Sequence, residues 1–273
     1  MRFIVLVKQV PDTTEMRIDP ETNTLIRDGV PSILNPFDQF ALEEAIRVRN
    51  EFNLDAEIVV ISMGPPQAKD AIMKCLALGA DRGILLTDRK FAGADTVATS
   101  YALANAIRTM GDFDMIFAGQ QAIDGDTAQV GPETAAILGI PQVTYVEKVL
   151  DFKPEEKKVV LYKQLDVGYA HVEAEMPVLI TGAPPTDFEP SNPSLMNIMK
   201  AKKKPYEEWD AERIDGDQSK YGLLGSPTRV VNMYTPEVRK AGEVLKDISL
   251  DEMVEKTVEF MLEKGLLNYV RRG

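Results

Sequence analysis

The strongest constraint on this chain is a repeated alternation. Short unbroken apolar runs recur at Phe3-Ile4-Val5-Leu6-Val7, Ile58-Val59-Val60-Ile61, Gly83-Ile84-Leu85-Leu86 and Met115-Ile116-Phe117-Ala118, and segments of helical spacing separate them. A run without polar alternation marks a strand covered on both faces. Strands alternating with helices over the first 140 residues predict an α/β fold, a doubly wound, mostly parallel sheet with right-handed crossovers. Asn35, Pro36 and Asp38 read as the cap, first and third positions of a helix to about Phe52, with Phe37, Phe40, Ala41, Ala45 and Val48 keeping its spacing. A second helix should end at Leu78 with Gly79 as its cap. A third runs from Asp95 to Met110, with Val97, Tyr101, Ala104, Ile107 and Met110 on its buried face. Residues 13 to 34 alternate polar and apolar around Asn23 and Asp28-Gly29, which predicts a small hairpin.

In a sheet of this kind, ligands gather at the carboxyl ends of the strands. Three loops fall there: Lys8-Gln9-Val10-Pro11-Asp12, Met63-Gly64-Pro65-Pro66, and the stretch from Ala118 to Pro132. The last holds Gly119-Gln120-Gln121-Ala122-Ile123-Asp124-Gly125-Asp126-Thr127-Ala128-Gln129-Val130-Gly131-Pro132 and opens into a helical pattern at Thr134 to Leu138. Free N–H groups at a helix start favour an anion, phosphate above all, and the glycines at 119, 125 and 131 permit close backbone approach to a ligand. A purely structural reading stands beside it: Asp124, Asp126 and Thr127 are helix-capping residues, and glycine turns join many strands to helices. No Walker-type Gly-Lys-Ser/Thr and no Gly-x-Gly-x-x-Gly occurs. The convergence of three loops on one edge is what points to a nucleotide pocket.

Other chemistries have little support. A net charge of −12 disfavours nucleic acid and anionic membrane surfaces, both of which need clustered Lys and Arg. No apolar run approaches a membrane span and no secretory leader is evident, so a cytoplasmic location is expected. The single Cys75 lies in a helical pattern and reads as a buried thiol, and it rules out an internal disulfide. The single His171 has no Gly-x-Ser-x-Gly elbow to serve, and no metal site is expected. No catalytic side chain is assigned, and any chemistry is expected to come from a bound cofactor.

After Pro141 the pattern becomes a hairpin, Val143–Val146 and Val159–Tyr162 about a charged turn at 153–158, followed by a return strand from Met176 to Thr181. Pro184, Pro185, Pro190 and Pro193 then favour an extended connection, and the globular domain is placed at 1–190 with an extension over 191–273. Ser194 to Lys204 runs from an apolar helical stretch into a lysine cluster. It is either a solvated helix end or a docking element with Leu195 and Met199 as anchors beside Lys200. Residues 205–249 read as an extended arm and Leu250 to Leu266 as an amphipathic helix, with Met253, Val254, Val258, Met261 and Leu262 on one face.

Taken together, Val7-Lys8-Gln9-Val10-Pro11-Asp12, Asn35-Pro36-Phe37-Asp38, Met63-Gly64-Pro65, Gly79-Ala80-Asp81, Gly119 to Gln129 and Asn197-Ile198-Met199-Lys200-Ala201-Lys202-Lys203-Lys204 resemble, in order and over nearly the whole chain, the β subunit of electron-transfer flavoproteins. The resemblance implies a Rossmann-like sheet of the adenine-nucleotide α-hydrolase type and a heterodimer with an α subunit that carries its own FAD. It implies a nucleotide lined by Leu6, Asn35, Pro36, Phe37, Asp38, Met63 and Gln121 to Pro132, and a docking leucine at Leu195. That nucleotide is FAD in electron-bifurcating members and a structural AMP in respiratory ones. Lys8 to Asp12, Ile123 to Glu133 and Gly225-Ser226-Pro227-Thr228 resemble the bifurcating branch more closely, so FAD is expected. NADH would then be the donor, with an acyl-CoA dehydrogenase-type partner and ferredoxin or flavodoxin as acceptor. Val167 and Ala170 depart from the family pattern. The rival reading is a stand-alone adenine-nucleotide-binding module of the stress-protein type.

Overall fold

A computed structural model describes residues 1–12, 17–18, 25–26, 31–232, 244–246 and 248–266. The strands are β1 (Arg2–Leu6), β2 (Gln9–Pro11), β3 (Arg17–Ile18), β4 (Leu25–Ile26), β5 (Ser32–Leu34), β6 (Glu57–Met63), β7 (Arg82–Leu86), β8 (Met115–Gly119), β9 (Gln142–Lys153), β10 (Lys158–Gln164), β11 (Tyr169–Glu175), β12 (Val178–Gly182) and β13 (Tyr206–Trp209). The helices are α1 (Pro36–Glu51), α2 (Lys69–Leu78), α3 (Thr96–Met110), α4 (Val130–Leu138), α5 (Leu195–Ala201), α6 (Gly222–Gly225) and α7 (Leu250–Glu263).

Nine of these strands form one sheet in the order β11-β10-β9-β12-β8-β1-β6-β7-β13. From β12 to β13 every neighbouring pair is parallel, and β9 joins β12 in parallel, while β10 pairs antiparallel with β9 on one side and β11 on the other. The doubly wound α/β sheet follows from how side chains alternate along the strands. Phe3 and Val5 face one core with Leu42, Ala45 and Val48 of α1 and Ile72, Cys75 and Leu76 of α2. Ile4 and Leu6 face a second core with Ala102, Leu103, Ala106 and Ile107 of α3 and Ala135 of α4. Both faces are covered, which is why these strands are apolar throughout. Cys75 is buried as expected, and burial pushes its thiol up, away from reactivity.

In the segment 13–34, expected as a hairpin, β3 pairs antiparallel with β4, and β5 at its end pairs antiparallel with β2 before it. The rest of that segment, including Asn23 and Asp28-Gly29, lies outside the described residues.

Two expectations are corrected. Val97 is 41% exposed; α3 instead turns Ala98, Ala102, Leu103, Ala106 and Ile107 inward. In so alanine-rich a helix the closely packed face is carried by small residues, and the larger Val97 stays outside. The second correction concerns the extension. The first compact unit spans Met1–Met233 and the second Tyr234–Gly273, so the boundary lies well beyond 190. Tyr206 to Trp209 pair in register with Gly83 to Leu86, and Trp209, Ala211, Ile214 and Tyr221 are buried in the second core. An edge strand needs only one buried face, and Glu207 is held by Arg82, Arg213 and the Trp209 indole. A short Tyr-Glu-Glu-Trp segment therefore looks like a polar arm until β7 is in place to receive it. In the second unit, α7 is closed at its start by a reciprocal Ser249–Glu252 capping box. Leu250, Val254, Val258, Phe260 and Leu262 on it are exposed.

Candidate functional site

The chain leaves β1 for β6 and β7 on one side, then returns to β8 on the other side of β1. That reversal makes a switch point between β1 and β8, where the loops leave in opposite directions and open a crevice. The loops that the sequence placed there are tied together by named groups.

Asn35, fully buried at the start of α1, accepts the Ile123 N–H on Oδ1 (3.3 Å) and donates from Nδ2 to the Gln121 carbonyl (2.8 Å). It stands at the cap position but makes no side-chain cap bond, because both its polar atoms hold the 121–123 loop. Asp38, also buried, accepts the Lys8 N–H (2.7 Å) and the Gly119 N–H, joining the ends of β1 and β8. Burial pushes its pKa up to about 7, against the lowering effect of Asn35 and these two N–H groups. Lys8 Nζ reaches Asp124 Oδ1 at 2.6 Å, and Gln9 Nε2 donates to the Gln67 carbonyl, linking the first loop to the second. Ala122 and Gly125 form a small bridge, and Asp126 accepts from Gln121 Nε2 at 3.1 Å.

Three readings of this stretch change. Neither Asp124, Asp126 nor Thr127 caps α4; the cap position is Gln129, which makes no side-chain cap bond. The two aspartates are spent on Lys8 and Gln121 instead. Of the three glycines, two are required by this chain's own packing. A β-carbon on Gly119 would stand 2.3 Å from Asp38 Oδ1, and one on Gly131 would stand 2.6 Å from Thr181 Cγ2. Only Gly125 faces open space.

An unusual backbone turn sits a few residues on. Ala128 has φ +54°, an uncommon conformation for a residue with a β-carbon, and Gln129 follows with φ −103° and ψ −31° in the right-handed region. A left-handed residue followed by a right-handed one turns successive N–H groups toward one point, a backbone nest for anions. The N–H groups of Val130 and Gly131, in the first turn of α4, add to it, since no helical carbonyl precedes them. Pro132 takes the next position without a donor to lose.

The other sequence-derived residues distribute as follows. Leu6 is buried in the second core, in register with Ala118, so its side chain belongs to the sheet and only its backbone borders the crevice. Met63 ends β6, half-buried. Pro36 and Phe37 line an apolar recess of about 180 Å³ with Pro184, Pro185, Phe188 and Pro190. Lys8 is the residue that the sequence reading left out of the site; the signal was the lysine at the end of the first strand, facing an acidic loop.

Away from the crevice, Ser194 caps α5, and Leu195 is 83% exposed beside exposed Met196 and Met199. Lys200 lies in the last turn. Lys204 is not free to contact a partner: its ammonium donates to the Leu76 and Ala80 carbonyls at the end of α2. His171 stands on β11, edge-on to Tyr162, away from the crevice loops.

A doubly wound sheet with a braced switch-point crevice is the α/β architecture in which ligands gather where loops leave neighbouring strands in opposite directions. The electron transfer flavoprotein domain matches residues 22–214. Electron transfer flavoprotein subunit beta of Clostridium acetobutylicum is 48% identical over 264 residues, 97% of each chain. The subunit beta of Megasphaera elsdenii is 47% identical, over 94% of this chain and 98% of that one. The caffeyl-CoA reductase-Etf complex subunit CarD of Acetobacterium woodii is 44% identical, over 98% of this chain and all of that one. The chain belongs to the electron-transfer flavoprotein family, as a β subunit. Among the described residues, no helix is long and apolar enough to cross a membrane.

Proposed function

We propose that this chain is the β subunit of an electron-bifurcating flavoprotein and holds FAD in the switch-point crevice, with AMP as the alternative occupant. The observation that carries a nucleotide there is the nest at Ala128 and Gln129 leading into α4, facing a crevice whose walls Asn35 and Asp38 fix. Such a donor set fits phosphate and pyrophosphate. Gly125, with open space where a β-carbon would be, leaves room for a ligand against the loop. A bound flavin would supply two-electron uptake from NADH and one-electron transfer onward. The residues of this chain bind and orient: the nest and the Val130 and Gly131 N–H groups receive phosphate, Asn35 fixes the loop, and the absence of an assigned acid or base leaves the redox chemistry to the cofactor.

The choice of FAD over AMP rests on the resemblance of the loop phrases to bifurcating members. A relative named for a caffeyl-CoA reductase complex supports a partner acting on a CoA thioester, of the acyl-CoA dehydrogenase type. An α subunit bearing a second FAD, ferredoxin or flavodoxin as acceptor, and cytoplasmic location complete the proposal, with Leu195, Met199 and Lys200 as docking residues. The test is a cofactor count on the native complex. Two flavins per heterodimer and bleaching by NADH are expected; one flavin with one AMP would replace FAD by AMP here.

A further inference from the structure

Lys8 and Asp124 meet across the switch-point crevice, one from the end of β1 and the other from the loop after β8, at 2.6 Å. The two halves of the pair differ in freedom. The Asp124 side chain is 19% exposed, although the residue as a whole lies at the surface, and it follows Ile123, whose N–H is held by buried Asn35. Lys8 has its backbone fixed by Asp38, but its side chain is 48% exposed on a flexible four-carbon stem. An ion pair this open adds little to stability. A phosphate offers the same ammonium a charge-assisted bond of at least equal strength. The ion pair therefore joins the two lips of the crevice to which the phosphate reading points, and it is weak enough to be traded.

Resting on that reading, we propose that Lys8 is an exchangeable phosphate ligand, held by Asp124 until a nucleoside diphosphate enters and then transferred to it. Asp124 is the internal competitor: it acts only by occupying the cation that the phosphate would take. It also makes the crevice selective, since a ligand without phosphate gains nothing from breaking the pair.

The experiment titrates ADP, and separately adenosine, into the full-length protein in its purified assembly, stripped of nucleotide, by calorimetry. Lys8→Met should weaken ADP about tenfold and leave adenosine unchanged, while Lys8→Arg keeps ADP binding. Asp124→Asn should tighten ADP severalfold, and the double variant should behave as Lys8→Met alone. Binding of ADP that is indifferent to both substitutions, or weakened by Asp124→Asn, overturns the exchange but leaves the pocket. Failure of the wild-type protein to bind ADP overturns the pocket reading and the exchange together.

Discussion

Asp38 shows how much a single buried group decides. Its carboxylate is committed to the Lys8 and Gly119 N–H groups, so it braces the crevice from below and does not offer itself to a ligand. Burial raises its pKa from 3.8 to about 7. Between those values the unfolded chain has released a proton that the folded chain still holds. Stability from this group therefore falls as pH rises from about 4 to about 7, and the loss is complete above that range. Asp38→Asn cannot ionise and should lack that slope. Denaturant unfolding at pH 5.5 and pH 8 should show the wild type losing about 2 kcal/mol relative to the variant, about 1.4 kcal/mol for each pH unit between 5.5 and the folded pKa of about 7. Parallel curves would mean that the carboxyl is solvated. Asn35 and Asp38 were legible in the sequence as a helix start, but their real partners lie 30 and more positions away, and no local pattern encodes such bonds.

Two elements carry separable consequences. Helix α4 approaches β12 so closely that a methyl on Gly131 would meet Thr181. Gly131→Ala should destabilise the fold by about 1–3 kcal/mol through overpacking, read as a lower melting temperature. A variant as stable as wild type would show that α4 moves aside without penalty. Helix α5 is the opposite case, because Leu195 packs against almost nothing in this chain. Leu195→Ala should leave the melting temperature within the ±0.5 kcal/mol typical of surface changes. On the proposed docking role, it should nevertheless slow electron delivery to a dehydrogenase of the proposed acyl-CoA type in stopped-flow measurements. The lysine run after it was legible as a cluster, yet Lys204 serves the carboxyl end of α2, where cations are favoured.

At the scale of the molecule, the crevice joins loops that leave neighbouring central strands of the first compact unit's sheet in opposite directions, so a ligand that bridges them should stabilise that unit as a whole. At a thousandfold excess over its dissociation constant, a nucleotide should add about 4 kcal/mol. Thermal unfolding of the stripped and reloaded protein should differ by several degrees, and coincident transitions would argue against a ligand bound by both loops.

The sequence by itself determined the alternating α/β order, the buried central strands and the edge at which the loops converge, because continuous apolar runs and helix-start residues are local signals. The lysine at the first strand end and the acidic loop were both in view, but not that they pair. Only the tertiary structure decided what the glycines and aspartates of the 118–132 stretch do, and that Tyr206 to Trp209 is a strand. Contacts such as Gly119 with Asp38, Gly131 with Thr181, and β13 with β7 join residues far apart in the chain, and their chemistry exists only once the sheet has brought them together.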